Sequence, residues 1–129
     1  MKKKYLIVLA DYYKNVTKGL LKSALKVIPK SSTVKIIKVP GAFEIPVTIS
    51  KNIKKYDAFL ALGCVIKGKT PHFDFISQVS INAIMNISLE SKKPVGNGII
   101  TCLNMTQAKA RKKKGAEAAE AVVSVLSQK

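Results

Sequence analysis

Ala58-Phe59-Leu60-Ala61-Leu62-Gly63-Cys64-Val65 carries no charge and no alternation of polar and apolar side chains. A strand with one wet face alternates, whereas a short run that is apolar at every position reads as a strand covered on both sides, as in a parallel sheet sandwiched between helices. Working outward, Tyr5 to Ala10 (YLIVLA) and Thr33 to Val39 (TVKIIKV) read as strands upstream, and Gly98 to Thr101 (GIIT) as one downstream. Between them apolar residues recur at helical spacing. Val16, Leu20, Ala24 and Val27 form one stripe, Ile76, Val79, Ala83 and Ile87 a second, and Ala118, Ala121, Val122 and Val125 a third. Strands alternating with helices imply right-handed crossovers and a parallel sheet. The expected fold is a three-layer α/β/α sandwich on a four-stranded parallel core, of flavodoxin-like type.

The chain has 129 residues, enough to bury a core without disulfides or metals, and no linker, repeat or composition shift divides it. One domain over residues 1–129 is expected. No apolar run approaches the roughly 20 residues of a membrane span, so no membrane partner is expected. Met1-Lys2-Lys3-Lys4 is basic, but the apolar stretch after it is short and runs into Asp11 without a small-residue cleavage site. That pattern argues against a signal peptide and for the cytoplasm. Cys64 and Cys102 form neither a CxxC pair nor a metal-ligand spacing and read as reduced thiols at strand ends. With one histidine in the chain no His/Cys zinc cluster can be assembled, so no metal site is expected.

The net charge of +16 suggests a nucleic-acid partner at first sight. All but one of the 23 basic residues are lysine, however, scattered over nearly every segment, with short clusters only at Lys2 to Lys4 and Lys112 to Lys114. Arginine, the usual reader of bases and phosphates by paired contacts, appears only as Arg111. The expectation is salt-sensitive attraction to polyanions and no specific nucleic-acid partner.

Ligands of such sheets collect where strands end and helices begin. The strand-end loops read Asp11-Tyr12-Tyr13, Pro40-Gly41-Ala42-Phe43-Glu44, Ile66-Lys67-Gly68-Lys69-Thr70-Pro71-His72 and Cys102-Leu103-Asn104. In the third loop Gly68 allows tight backbone geometry, Thr70 offers a hydroxyl and Pro71 sits at a helix start, an arrangement able to hold an anion with Lys69 supplying charge. An ordinary loop capping a helix fits the same letters. His72 follows directly, and imidazole is the side chain suited to moving protons near neutral pH; a plain surface histidine is the alternative. Arg111, unique among lysines, suggests a phosphate needing two parallel donors, or else a chance residue on a solvated helix. Phe43 offers a plate for an aromatic ring and Glu44 an acceptor, against core packing and helix capping as their structural alternatives.

Val39-Pro40-Gly41-Ala42-Phe43-Glu44-Ile45-Pro46 and Ala61-Leu62-Gly63-Cys64-Val65-Ile66-Lys67-Gly68-Lys69-Thr70-Pro71-His72-Phe73-Asp74 closely resemble the two signature segments of the lumazine synthase family. The resemblance continues more loosely through Gly98 to Thr101, Asn104, Gln107-Ala108, Arg111 and Lys114 to Ala119, and so covers nearly the whole chain. It implies the riboflavin-pathway condensation of 5-amino-6-ribitylaminouracil with 3,4-dihydroxy-2-butanone 4-phosphate, with loss of phosphate and water. It implies no cofactor. It implies a homopentamer whose active sites are shared between neighbours. Ala42, Phe43 and Glu44 would bind the pyrimidine and ribityl chain, Val65 and Ile66 would line the pocket, and Lys69 and Thr70 would hold phosphate. His72 would shuttle protons, while Arg111 from the adjacent subunit, with Lys114, would grip the phosphate. Tyr12 falls where the family usually has a stacking Phe.

Three departures stand out from the family pattern. Asn97 occupies a position that is commonly aromatic and reaches the neighbour's site, which makes that wall more polar. The connection from Arg111 to Gly115 is short and lacks the linker of shell-forming relatives, and the sequence begins almost at the first core strand. The expectation is a free pentamer in place of an icosahedral shell. The rival readings are a pentameric relative without turnover and a basic nucleic-acid-associated domain.

Overall fold

The computed structural model describes residues 2–128; Met1 and Lys129, both part of the expected 1–129 domain, lie outside the described residues. Strands β1 (Lys4–Ala10), β2 (Thr33–Val39), β3 (Ala58–Ile66) and β4 (Val95–Cys102) form one sheet, parallel throughout, in the order β2-β1-β3-β4. The helices between and after them are α1 (Lys14–Val27), α2 (Ile45–Lys51), α3 (His72–Ser91), α4 (Met105–Ala110) and α5 (Lys114–Leu126). This is the expected flavodoxin-like three-layer architecture.

The layers follow from the two-residue period of a strand. Leu6, Val8, Phe59, Ala61 and Ile99 pack with Ile45, Ile49 and Ile84 on the side of α2 and α3. Tyr5, Ile7, Leu9, Leu60 and Leu62 pack with Ala24, Ala118 and Val122 on the side of α1 and α5. β3 lies between β1 and β4 and is buried at every position from Ala58 to Val65, as its uniform apolarity demands. Each fully buried Leu or Phe there contributes roughly 1.5–3 kcal/mol of burial free energy.

Two sequence expectations need correction in register. In α3 the buried and half-buried face is Phe73, Ile76, Ser80, Ile84 and Ile87, while Val79 is 51% exposed. In α5 Ala118, Ala119 and Val122 are buried, whereas Ala121 and Val125 are exposed. Both helices carry apolar residues on more than one face, so spacing alone leaves the inward stripe ambiguous. β4 also begins three residues before the expected Gly98, because Gly96 and Asn97 give no strand signal yet pair with Leu60 and Ala61.

The short helices α2 and α4 leave no periodic apolar stripe in the sequence. α2 holds β-branched Val47, Thr48 and Ile49 behind Pro46, too short a stretch for periodicity to emerge. α4 has a readable start: Asn104 Oδ1 accepts from the Gln107 N–H (2.9 Å), and Gln107 Oε1 accepts from the Leu103 N–H (2.9 Å). This is a reciprocal cap with the spacing of a capping box.

The chain passes from β1 outward to β2 and then back across β1 to β3, so the connections after β1 and β3 diverge and leave a crevice at the strands' carboxyl ends. The loops around it are tied to the sheet. The Asp11 N–H donates to the Val39 carbonyl and the Lys67 N–H to the Cys102 carbonyl, each at 2.9 Å. Among the described residues no helix is long and apolar enough to cross a membrane.

Candidate active site

A cavity of about 580 Å³ occupies this crevice. Tyr12 and Tyr13 line it from the end of β1, Gly41 to Glu44 from the end of β2, Cys64, Val65 and Ile66 from β3, and His72 and Ile76 from α3. Its volume is in the range of pockets that hold small organic molecules. Seven residues singled out in the sequence therefore share one site: Tyr12, Ala42, Phe43, Glu44, Val65, Ile66 and His72.

Phe43 and Tyr12 are 57% and 74% exposed, so both rings stand open at the mouth. Phe43 is thus not a core residue. Glu44 precedes α2 but makes no side-chain cap, which disposes of the helix-capping alternative and leaves its carboxylate free to accept. A short 3₁₀ turn, Ala42–Glu44, holds this pair, closed by the Glu44 N–H on the Gly41 carbonyl at 3.2 Å. Thr48 Oγ1 donates to the Glu44 carbonyl at 2.8 Å and fixes the turn from the helix side.

His72 is the first residue of α3, and Pro71 sits at the N-cap as the sequence suggested. The Thr70 hydroxyl accepts from the His72 backbone N–H at 3.4 Å, so Thr70 braces the turn that presents the imidazole. Lys69 and Thr70 are exposed and line neither this cavity nor the one described next. Gly68 has no positive φ, and a methyl added to it would meet nothing within 4 Å, so the tight geometry expected of it is not used.

Arg111, Lys114 and Asn97 line a different cavity of about 590 Å³, bounded by β4, Ile81 of α3 and the start of α5. Arg111 folds back on β4: Nη1 donates to the Thr101 carbonyl at 3.3 Å and lies 4.0 Å from Cys102 Sγ. Lys114 Nζ is 3.9 Å from Glu117. Asn97 Oδ1 accepts from the Ile99 N–H at 3.1 Å, which fixes the amide with its oxygen on the strand. Within one chain, then, the unique imidazole and the unique guanidinium open onto separate cavities.

Tyr13, Gly41, Cys64 and Ile76 complete the lining of the first cavity beyond the residues expected there. Tyr13 and Gly41 stand in strand-end loops already named, and that position was their signal. Ile76 carries only the helical spacing of a core residue. Burial, then the Cys102 sulfur beside it, pushes the Cys64 thiol up to about 12 and holds it neutral. Burial, and then the neighbouring Tyr12 and Cys64, also raise the Tyr13 phenol above its ordinary value. Both cysteines are free and buried. Among the described residues no three His, Cys, Asp or Glu side chains gather as metal ligands.

A doubly wound parallel sheet with an imidazole, a carboxylate and two open aromatic rings around its strand-end crevice defines an α/β protein built to hold a small organic molecule. The chain belongs to the 6,7-dimethyl-8-ribityllumazine synthase family, whose model matches residues 2–129. It is 39% identical to the 6,7-dimethyl-8-ribityllumazine synthase of Bartonella tribocorum over 133 aligned positions, covering 96% of this chain and 88% of that one. It is 41% identical to the protein of that name from Methylobacterium radiotolerans, covering 96% and 80%. The Cutibacterium acnes protein, of the same name, is 36% identical with the same coverage of each chain.

Proposed function

We propose that this chain is a lumazine synthase, joining 5-amino-6-ribitylaminouracil to 3,4-dihydroxy-2-butanone 4-phosphate with release of phosphate and water. The observation that carries the reading is the gathering of His72, Glu44 and two aromatic plates in one strand-end cavity of a chain of this family. The pyrimidine lies between Phe43 and Tyr12, whose exposed faces suit a flat ring. Glu44 accepts from the substrate's N–H or hydroxyl groups, and Val65 and Ile66 supply the apolar floor.

The substrate's free amine attacks the ketone carbon, forming a C–N bond, and loss of water gives an imine. Proton removal beside the imine lets the C–O bond to phosphate break and leaves an enol, which takes up a proton at its terminal carbon to become a ketone. The second nitrogen closes the ring on that new carbonyl, and a second water leaves. His72 carries the protons of these steps. Holding two reactants in attack geometry contributes up to roughly 7–11 kcal/mol in favourable cases. Lys69 and Thr70, at the start of α3, hold the phosphate together with Arg111 and Lys114 of a neighbouring subunit.

The sharing of the site requires an assembly, for which a homopentamer is the reading. It is supported by the two open half-cavities and by the outward face of α3, where Phe75, Val79, Met85 and Leu89 are all exposed. Such a stripe of large apolar side chains is costly in water and is covered when copies close into a ring. The single 1–129 domain works in the cytoplasm as a free pentamer. The test is incubation of the purified protein with both substrates: lumazine fluorescence supports the assignment, and its absence with intact substrates overturns it. Light scattering that gives the mass of a hollow shell overturns the free pentamer.

A further inference from the structure

Tyr13 lines the first cavity, and the reaction as proposed gives it no task. Its position is tightly fixed. The Tyr13 carbonyl accepts from the Val16 N–H (3.0 Å), the Thr17 N–H (3.0 Å) and Thr17 Oγ1 (3.2 Å), pinning the residue at the start of α1. The Tyr12 ring meets it edge-on, with centroids 4.8 Å apart and planes at 84°. It packs against the apolar cluster that holds Val16, Cys64 and Cys102. Ala42, Val65 and Ile76 belong to the core on the other side, so the cavity spans the carboxyl end of the sheet from one face to the other, with Tyr13 on the α1 side.

Among the described residues no protein group hydrogen-bonds the Tyr13 hydroxyl, although the residue is only partly exposed. The hydroxyl is not sealed from solvent, since Ser77 Oγ is the one buried side-chain polar atom without a partner among the described residues, so it is available to a molecule held in the cavity. Burial keeps it protonated, so it both donates and accepts. That pairing matches an alcohol, itself donor and acceptor, better than it matches a phosphate, which only accepts. The flat ring of the pyrimidine substrate has its place between the open faces of Tyr12 and Phe43. Its ribityl chain has neither π face nor charge and is held through hydrogen bonds, for which Glu44 supplies an acceptor and Tyr13 both a donor and an acceptor.

We propose that Tyr13 is a substrate-binding residue whose hydroxyl hydrogen-bonds the polyhydroxylated chain of the pyrimidine substrate, from the α1 side of the cavity. The inference rests on the lumazine synthase reading for the identity of that substrate. A rigidly held phenol then selects for a pyrimidine bearing the chain over one without it.

Tyr13→Phe removes only the hydroxyl and leaves the ring packing in place. Calorimetric titration of the assembled protein with 5-amino-6-ribitylaminouracil is expected to give about tenfold weaker binding in the variant, the effect of one lost hydrogen bond in a closed site. An analogue with an unhydroxylated alkyl chain is expected to bind parent and variant alike, and in turnover the KM for the pyrimidine rises while that for the ketose phosphate and kcat hold. Equal affinity of parent and variant for the ribityl compound overturns the inference, as does an equal loss with the alkyl analogue, a rise confined to the KM for the ketose phosphate, or a fall in melting temperature that reveals a protein partner for the hydroxyl. Because binding is read without turnover, the two proposals fail separately. A parent that binds the ribityl compound through Tyr13 but makes no lumazine overturns the enzymatic reading alone, whereas an active parent indifferent to Tyr13→Phe overturns this one alone.

Discussion

His72 and Arg111 are each the sole representative of their type in the chain, and the structure gives them different environments. The His72 side chain is exposed and makes no hydrogen bond to the protein among the described residues; only its backbone N–H is engaged, by Thr70. His72→Ala is therefore expected to slow lumazine formation by about 10² to 10⁴ while leaving the melting temperature unchanged, read by product fluorescence and thermal unfolding. Arg111→Ala is expected to raise the KM for the ketose phosphate about tenfold or more, the loss of a charge-assisted contact, with a smaller effect on the pyrimidine. Parent rates in both variants at saturating and limiting substrate would falsify the site assignment. Cys64 makes a prediction of the opposite kind. Its thiol, ordinarily 9.0, is pushed up to about 12 by burial, so it stays neutral in the folded protein at any physiological pH. Iodoacetamide at about pH 8 is expected to label it only after unfolding, because the thiolate is the reacting form. The stability that the neutral thiol contributes is complete below pH 9.0 and is lost as the pH rises toward about 12, since the unfolded thiol ionises first.

Helix α5 is seated on α1 by two devices that no spacing rule reveals. Ser23 Oγ donates to the Lys112 carbonyl at 2.7 Å and accepts from the Ala116 N–H at 3.0 Å, supplying a cap to α5 from another helix. Gly115 lies so close to α1 that a methyl there would overlap the Leu20 carbonyl. Gly115→Ala is expected to lower stability by about 1–3 kcal/mol, measured by denaturant unfolding, because backbone and not a flexible side chain has to give way. An unchanged midpoint would mean that α5 can slide on α1. The connection between α4 and α5 is short: α4 ends at Ala110 with Arg111 as its C-cap, and α5 begins at Lys114.

For the molecule as a whole, the separation of the His72 and Arg111 cavities makes a prediction that neither cavity makes alone. If the cavity of His72 on one subunit meets that of Arg111 on the next, mixing the inactive His72→Ala and weakened Arg111→Ala proteins after dissociation and reassembly restores activity, because some interfaces then join two unaltered halves. Activity that never exceeds the sum of the separate variants rules out sharing. The charge acts at this scale too. Among the described residues only Lys14 with Asp11 and Lys114 with Glu117 form ion pairs, both at 3.9 Å, against a net charge of +16. Repulsion among the lysines is therefore largely uncompensated, and the melting temperature is expected to rise as sodium chloride increases from about 0.05 to about 0.5 M. A flat or falling response would show that the lysines are too far apart and too well solvated to matter.

The letters alone determined the strand that lies between β1 and β4, since Ala58 to Val65 can be apolar throughout only if both faces are covered, and with it the parallel α/β architecture. They also marked the strand-end loops, because Phe43, Glu44 and His72 stand where backbone must leave the sheet. Only the tertiary structure decided which stripe of α3 turns inward, since Val79 and Ile84 are equally apolar and differ only in what packs on them. It alone brought Cys64 and Ile76 into the cavity and set Arg111 against β4 in a cavity of its own. Periodicity reports which residues share a face of one element, whereas a cavity is made where the faces of several elements meet, and that depends on contacts between residues far apart in the chain.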